Sequence, residues 1–381
     1  MEKFMANSDI IWYNSIDMFH EARGRHFNEY KDLPGFSTFR HLFGFFAANF
    51  SFTDRTCSVV SPVKTTILPA CVLPEFKKVD YDFDELCQKR ARWLLDHCIA
   101  TDRKLVVMYS GGIDSTTILV SIFKVATEKE LNERLVVLLN NYSIGENPNF
   151  YNDYIIKKCP IIDSSNKQNA FLGNDKYVVI NGEGGDQLFG SAVNNYFFNA
   201  STRGGNYVFS EPTHEKIVAS FDSWTNDIVA TEKIIKLLDK VIASSPIPIT
   251  TVYHYFWWIN FALKWQSVYA RTPAYTAARF QPTLKLEENF FTFFHFPEAQ
   301  LWAMNNTDKF IKDEWKTYKY IMKDIIYDYN KDAYYRDNKL KVGSLQYVVA
   351  LMPLAKCVGL NNEFHYDKYP DGIWEMNNDF V

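Results

Sequence analysis

The chain has 381 residues, 47% of them hydrophobic, which is apolar material for two or three domains with sizeable cores. Its formal net charge of −4 gives no general attraction for nucleic-acid phosphates, which argues against a nucleic-acid partner. The six cysteines form no C-x-x-C pair and no zinc-ligand spacing, a pattern that excludes a zinc scaffold and fits reduced thiols in the cytoplasm.

The chain opens on Met1-Glu2-Lys3-Phe4, with no positive segment ahead of an apolar stretch, so no signal peptide is expected. Apolar runs at Ile10-Ile11-Trp12-Tyr13, His41 to Phe46 and Cys57 to Val60 give residues 1–90 the texture of folded rather than disordered chain. Tyr81 to Ile99 then predicts a helix leading into the core.

Leu105-Val106-Val107-Met108 has the texture of a buried strand. Ser110-Gly111-Gly112-Ile113-Asp114-Ser115 follows, and Thr116 to Val120 continues as helix. Paired glycines let a backbone take positive φ and approach a ligand closely. The amides beyond them open a helix, whose first N–H groups lack internal partners and favour anions. The hydroxyls of Ser110 and Ser115 can donate to phosphate oxygens. Asp114 would repel phosphate unless Mg²⁺ lies between them. Neither a Walker A loop nor a complete G-x-G-x-x-G fingerprint is present.

Leu135 to Leu139 predicts a second strand, followed by Asn140 to Asn149 with Ser143-Ile144-Gly145 inside it. Val178-Val179-Ile180-Asn181 predicts a further strand, running into Gly182-Glu183-Gly184-Gly185-Asp186-Gln187-Leu188-Phe189-Gly190. Two parallel strands that each end in a glycine turn place both turns at one sheet edge, where ligands bind. Asp114 and Asp186 would then face one Mg²⁺–pyrophosphate unit.

From about Asn206 the texture becomes helical and aromatic, and His254 to Ile259 reads as helix core, too short for a membrane span. Lys316 to Ile326 predicts another helix. A basic loop follows, Tyr335-Arg336-Asp337-Asn338-Lys339-Leu340-Lys341-Val342-Gly343-Ser344.

Ser-Gly-Gly-x-Asp-Ser after a strand resembles the PP-loop of the N-type ATP pyrophosphatases. The run from Gly182 to Gly190 resembles the G-E-G-A-D-E-L-F-G signature of the asparagine synthetase and β-lactam synthetase-like enzymes. The resemblance implies a twisted parallel α/β sheet of the adenine-nucleotide α-hydrolase type, with a helical C-terminal region and a small N-terminal α+β domain. It implies an ATP- and Mg²⁺-dependent ligase that adenylates a small-molecule carboxylate for attack by ammonia or an amine, external or from a separate nitrogen-donating protein. By the same resemblance Ser110, Gly111, Gly112, Asp114, Ser115 and Gly182 surround ATP phosphates, and Ser143, Ile144 and Gly145 lie against adenine. Asp114 and Asp186 hold the metal. Glu183 takes the proton from the amine, and Lys341, favoured over Lys339 by its spacing to Gly343, stabilises developing charge.

The implied organisation is a reduced, non-catalytic glutaminase-like domain at 1–90 and an ATP-pyrophosphatase domain at 91–381, with nucleotide core 91–200 and helical part 201–381. Departures are visible. Residue 2 is Glu where the glutaminase nucleophile would be Cys, Gln187 replaces an acidic residue, and Arg279 to Leu284 matches the family's R-x-P-F-L-D only loosely, with Lys285 in place of Asp. The stretch between Pro148 and Glu183 is shorter than the family's. Two other readings of the motifs are a PP-loop enzyme that modifies a nucleobase of tRNA or DNA, and a non-catalytic ATP-binding homologue.

Overall fold

Three aliphatic runs of the sequence, Lys104–Met108, Leu135–Leu139 and Tyr177–Asn181, lack the polar alternation of a half-exposed strand, so they belong in a sheet covered on both faces. In the computed structural model they are the central strands of a five-stranded, wholly parallel sheet. The described residues are 10–13, 53–58, 71–164, 170–190, 207–269, 272, 288–340, 357–360 and 363–366. Across the sheet the order is Ile161–Asp163, Leu135–Leu139, Lys104–Met108, Tyr177–Asn181, Phe290–Thr292. Leu105 pairs with Leu135 on one side and Val178 on the other.

This order locates the site. From Lys104–Met108 the chain adds strands to one side, then returns to add Tyr177–Asn181 on the other. The winding reverses between these two neighbours, and an open α/β sheet has its crevice outside the carboxyl ends of such a pair. Both glycine turns begin there.

The helices of this unit follow local chemistry. Asp82 caps Phe83–Ala100 by accepting from the Glu85 N–H at 2.9 Å, and the helix buries Phe83, Leu86, Cys87, Ala91, Leu94, Leu95 and Cys98. It packs on Ile113–Val125, whose Lys124 reaches back to Asp84 at 2.8 Å. Thr127 and Glu130 form a reciprocal capping box at the start of Glu128–Arg134, and Glu130 also pairs with Arg92 at 2.8 Å.

The helix predicted over Lys316 to Ile326 starts late. Trp315–Thr317 is a 3₁₀ turn, Lys319 is left-handed at φ 58°, and the α-helix runs Tyr320–Asn330. The cause is local competition. The Thr317 hydroxyl accepts from the Lys312 N–H and donates to the Glu314 carbonyl, Trp315 stacks on Tyr318 at 4.4 Å, and Lys323 Nζ donates to the Lys316 carbonyl at 2.6 Å.

Contacts divide the chain into one unit of residues 74–189 and 282–351 and another of 1–73, 190–281 and 352–381. The boundary expected at residue 90 falls inside the continuous helix Phe83–Ala100. The region expected to be helical, 201–381, supplies the fifth strand, Phe290–Thr292, to the core sheet. Most of residues 1–70 lie outside the described ones, and the expected glutaminase-like remnant lies with them.

In the second unit Ile10–Tyr13 pairs antiparallel with Cys357–Leu360, which pairs with Glu363–Tyr366. Helices His214–Thr225, Ile228–Ala243 and Val252–Leu263 build its core. Val252–Leu263 is buried along its length except at His254, as its aromatic density predicts. Trp258 Nε1 donates to the Val241 carbonyl at 2.8 Å. The Arg55 guanidinium is buried over the Trp265 ring, 4.7 Å from its centroid, and donates to the carbonyls of Cys71, Val72 and Phe261. No helix among the described residues is long and apolar enough to cross a membrane.

Candidate functional site

The first glycine turn is closed by its own hydroxyls. Ser115 Oγ accepts from the Ser110 N–H at 3.1 Å and donates to the Gly112 carbonyl at 3.2 Å, while Ser110 Oγ accepts from the Gly112 N–H at 3.3 Å. Both serines therefore shape the loop, and Ser110 is also exposed towards solvent. The first-turn amides of Ile113–Val125 have no preceding carbonyls within the helix, and the Gly112 cap offers them no side chain. Gly111 sits at φ +74°, and a Cβ there would strike the Ser143 carbonyl and Glu146 Cβ. Conformation and space both require glycine.

The second turn is built around Asp114. A Cβ on Gly182 would lie 3.0 Å from Asp114 Cβ and 3.3 Å from the Ser115 nitrogen, and a Cβ on Gly185 would strike the Asp114 carboxylate. Gly184 turns the chain at φ +87°. These glycines let the Asp114 side chain enter the crook of the turn after Tyr177–Asn181. Glu183 is half-buried, and its N–H donates to Asn181 Oδ1 at 3.2 Å.

Asp114 and Asp186 converge on a group that sequence reasoning missed. Lys319 Nζ donates to Asp114 Oδ1 at 2.5 Å and to Asp186 Oδ1 at 2.7 Å. The Lys319 side chain is 0% exposed, against 18% for Asp114 and 23% for Asp186. The Tyr318 hydroxyl also donates to Asp186 Oδ1, at 3.4 Å. Among the described residues the Lys319 ammonium pairs with both carboxylates, and paired carboxylates at one point are also ligands of the kind Mg²⁺ takes. The left-handed Lys319 backbone aims this lysine, and no periodicity in the sequence signals that break.

The third wall is the helical turn Asn141–Glu146, at the end of Leu135–Leu139. Asn140 Oδ1 caps it by accepting from the Ser143 N–H at 3.0 Å and the Ser143 hydroxyl at 3.2 Å. Ser143 is buried, and its carbonyl faces Gly111. Ile144 is half-buried, and Gly145 borders open space, with nothing within 4 Å of where a Cβ would stand.

The structure thus brings together Ser110, Gly111, Gly112, Asp114, Ser115, Ser143, Gly182, Gly185 and Asp186. Lys341 and the segment from Arg279 to Lys285 lie outside the described residues. Lys319, Tyr335 and Glu146 are additions from the structure.

Among the described residues no cluster of three or more His, Cys, Asp or Glu side chains could enclose a metal ion. The donor set suits Mg²⁺ all the same. Mg²⁺ commonly takes one or two carboxylates and completes its octahedron with phosphate oxygens and water. Asp114 and Asp186 would hold it together with a polyphosphate. Compared with protein-family models and with curated proteins, the chain matches none.

Proposed function

We propose that this unit is an ATP-dependent, AMP- and pyrophosphate-forming ligase of the asparagine synthetase-like PP-loop type, acting in the cytoplasm on a small-molecule carboxylate. One observation carries the reading: Asp114 and Asp186, from two glycine turns at the switch point of a parallel sheet, meet at a single buried ammonium.

The helix amides after Gly112 and the hydroxyls of Ser110 and Ser115 line the phosphate path, with Gly111 and Gly112 giving the close approach. Ser143, Ile144 and Gly145 offer a wall for adenine, open at Gly145. Gly182 and Gly185 admit Asp114. Mg²⁺ on Asp114 and Asp186 would neutralise the pyrophosphate as it departs.

In the first step a substrate carboxylate oxygen bonds to the α-phosphorus and the bond to the β-phosphate bridging oxygen breaks. Lys319 holds the Asp114 and Asp186 carboxylates together beside the leaving pyrophosphate. In the second step ammonia or an amine, free or delivered by a separate protein, bonds to the activated carbonyl carbon. The carbon–oxygen bond to AMP breaks, the nitrogen loses a proton to Glu183, and Lys341 meets the charge developing on oxygen.

The test is pyrophosphate release and nucleotide product analysis across carboxylates paired with ammonia and amines. The reading expects AMP and pyrophosphate, abolished by Asp114→Ala. Formation of ADP, or full activity in Asp114→Ala, overturns it.

A second reading, a nucleotide-binding protein without turnover, is favoured by Lys319, which already occupies both carboxylates. Saturable ATP binding with no AMP under any substrate pair distinguishes it.

A further inference from the structure

The short helix Ala333–Asn338 and its flanks reach across two parts of the candidate site at once. The Tyr335 hydroxyl donates to the Gly111 carbonyl at 3.3 Å, and its ring is buried. Lys339 Nζ pairs with the Glu146 carboxylate and donates to the Glu146 carbonyl at 3.3 Å. Asn149 Nδ2 donates to Asp332 Oδ2 at 2.9 Å, while Asp332 Oδ1 caps the helix through the Tyr335 N–H. Gly111 belongs to the phosphate turn, and Glu146 to the helical turn whose Ser143 carbonyl abuts that same glycine. A single segment therefore fixes the spacing between the two walls.

We infer that Asp332–Lys339 is a clasp that sets the nucleotide site, and that Lys339 is a positioning residue acting through Glu146, not the lysine that meets the reacting groups. The inference rests on the nucleotide reading above. Lys339 is 12% exposed and Glu146 29% exposed, so the pair is largely withdrawn from solvent. Removing either charge breaks the ion pair and leaves the remaining charge partly buried without its counter-ion, which frees Asn141–Glu146 to leave Gly111. Apparent affinity then falls in proportion to the fraction of molecules whose walls are correctly spaced. Chemistry at saturating ATP is affected far less, because Lys339 is engaged away from the Asp114–Lys319–Asp186 group.

The experiment is a double-mutant cycle on the full chain, titrated with MgATP by calorimetry: wild type, Lys339→Met, Glu146→Gln and the double variant, with Lys339→Arg as the conservative control. Each single variant should bind about tenfold more weakly, the double no more weakly than either single, and Lys339→Arg within about twofold of wild type. The turnover number for pyrophosphate release should change by less than about twofold in Lys339→Met, so the loss appears in KM. Tyr335→Phe keeps the buried ring and tests the same clasp without removing a charge; it should bind MgATP about threefold more weakly. Unchanged affinity in the singles and in Tyr335→Phe, or additive losses in the double, overturns the clasp while the nucleotide reading stands. Wild-type protein that binds no MgATP overturns both.

Discussion

Gly185 and Asp114 meet with no room for a methyl group: a Cβ on Gly185 would strike Asp114 Oδ1 and lie 3.3 Å from Phe294 Cδ2. The Gly185 backbone is helical, so helix propensity alone makes alanine the better residue there. Packing dictates the opposite. Gly185→Ala should destabilise the protein by about 1–3 kcal/mol in urea unfolding, as overpacked sites do. It should also weaken MgATP binding by displacing Asp114. Equal or greater stability would show that Asp114 is not held in this crook.

Lys319 separates two carboxylates that would otherwise repel one another. Lys319→Met should cost about 3 kcal/mol, the scale for removing one partner of a buried ion pair. Millimolar Mg²⁺ should restore more stability to this variant than it adds to wild type, because the cation then also replaces the positive charge that Lys319 supplied between the carboxylates. Thermal melts with and without Mg²⁺ read both effects.

Gly145 offers the converse case. Space around it is open, so Gly145→Ala should leave the melting temperature unchanged or slightly raised. If adenine lies against this turn, the added methyl should still weaken ATP binding. Calorimetry with ATP and with inorganic triphosphate separates the two: the loss should be confined to ATP.

Burial draws the Lys323 ammonium down from 10.5 to about 8. The residue is 2% exposed, and its Nζ braces the turn before Lys319. Between pH 8 and 10.5 the unfolded chain holds more protons at this residue than the folded one, so its contribution to stability rises with pH across that window. Below pH 8 the contribution is flat. Wild type should therefore gain stability relative to Lys323→Met between pH 8 and 10.5 in denaturant titrations; parallel curves would contradict this.

The central strands were legible because Leu105 to Met108, Leu135 to Leu139 and Val178 to Asn181 are unbroken by alternation, and the glycine pairs that end two of them are visible one residue at a time. The helix Val252–Leu263 was legible as core from its aromatics. Phe290–Thr292 was not, since three residues inside an aromatic stretch carry no period. Lys319 was hidden because its role depends on a left-handed residue between two helical segments and on partners more than a hundred residues away. Gly182 and Gly185 were visible as a turn, but not as the cleft that receives Asp114. Glu183, expected as the group that takes the amine's proton, is half-buried, with its N–H on Asn181.

The most direct test is calorimetric titration of the full chain with MgATP, run beside Asp114→Asn and beside ATP without Mg²⁺. Wild type should show one saturable site, with binding at least about tenfold weaker when either the Asp114 charge or the metal is removed, and weak binding of Mg²⁺ alone. Absence of saturable binding to wild type, or equal affinity in Asp114→Asn, would contradict the assignment of the two glycine turns to a nucleotide.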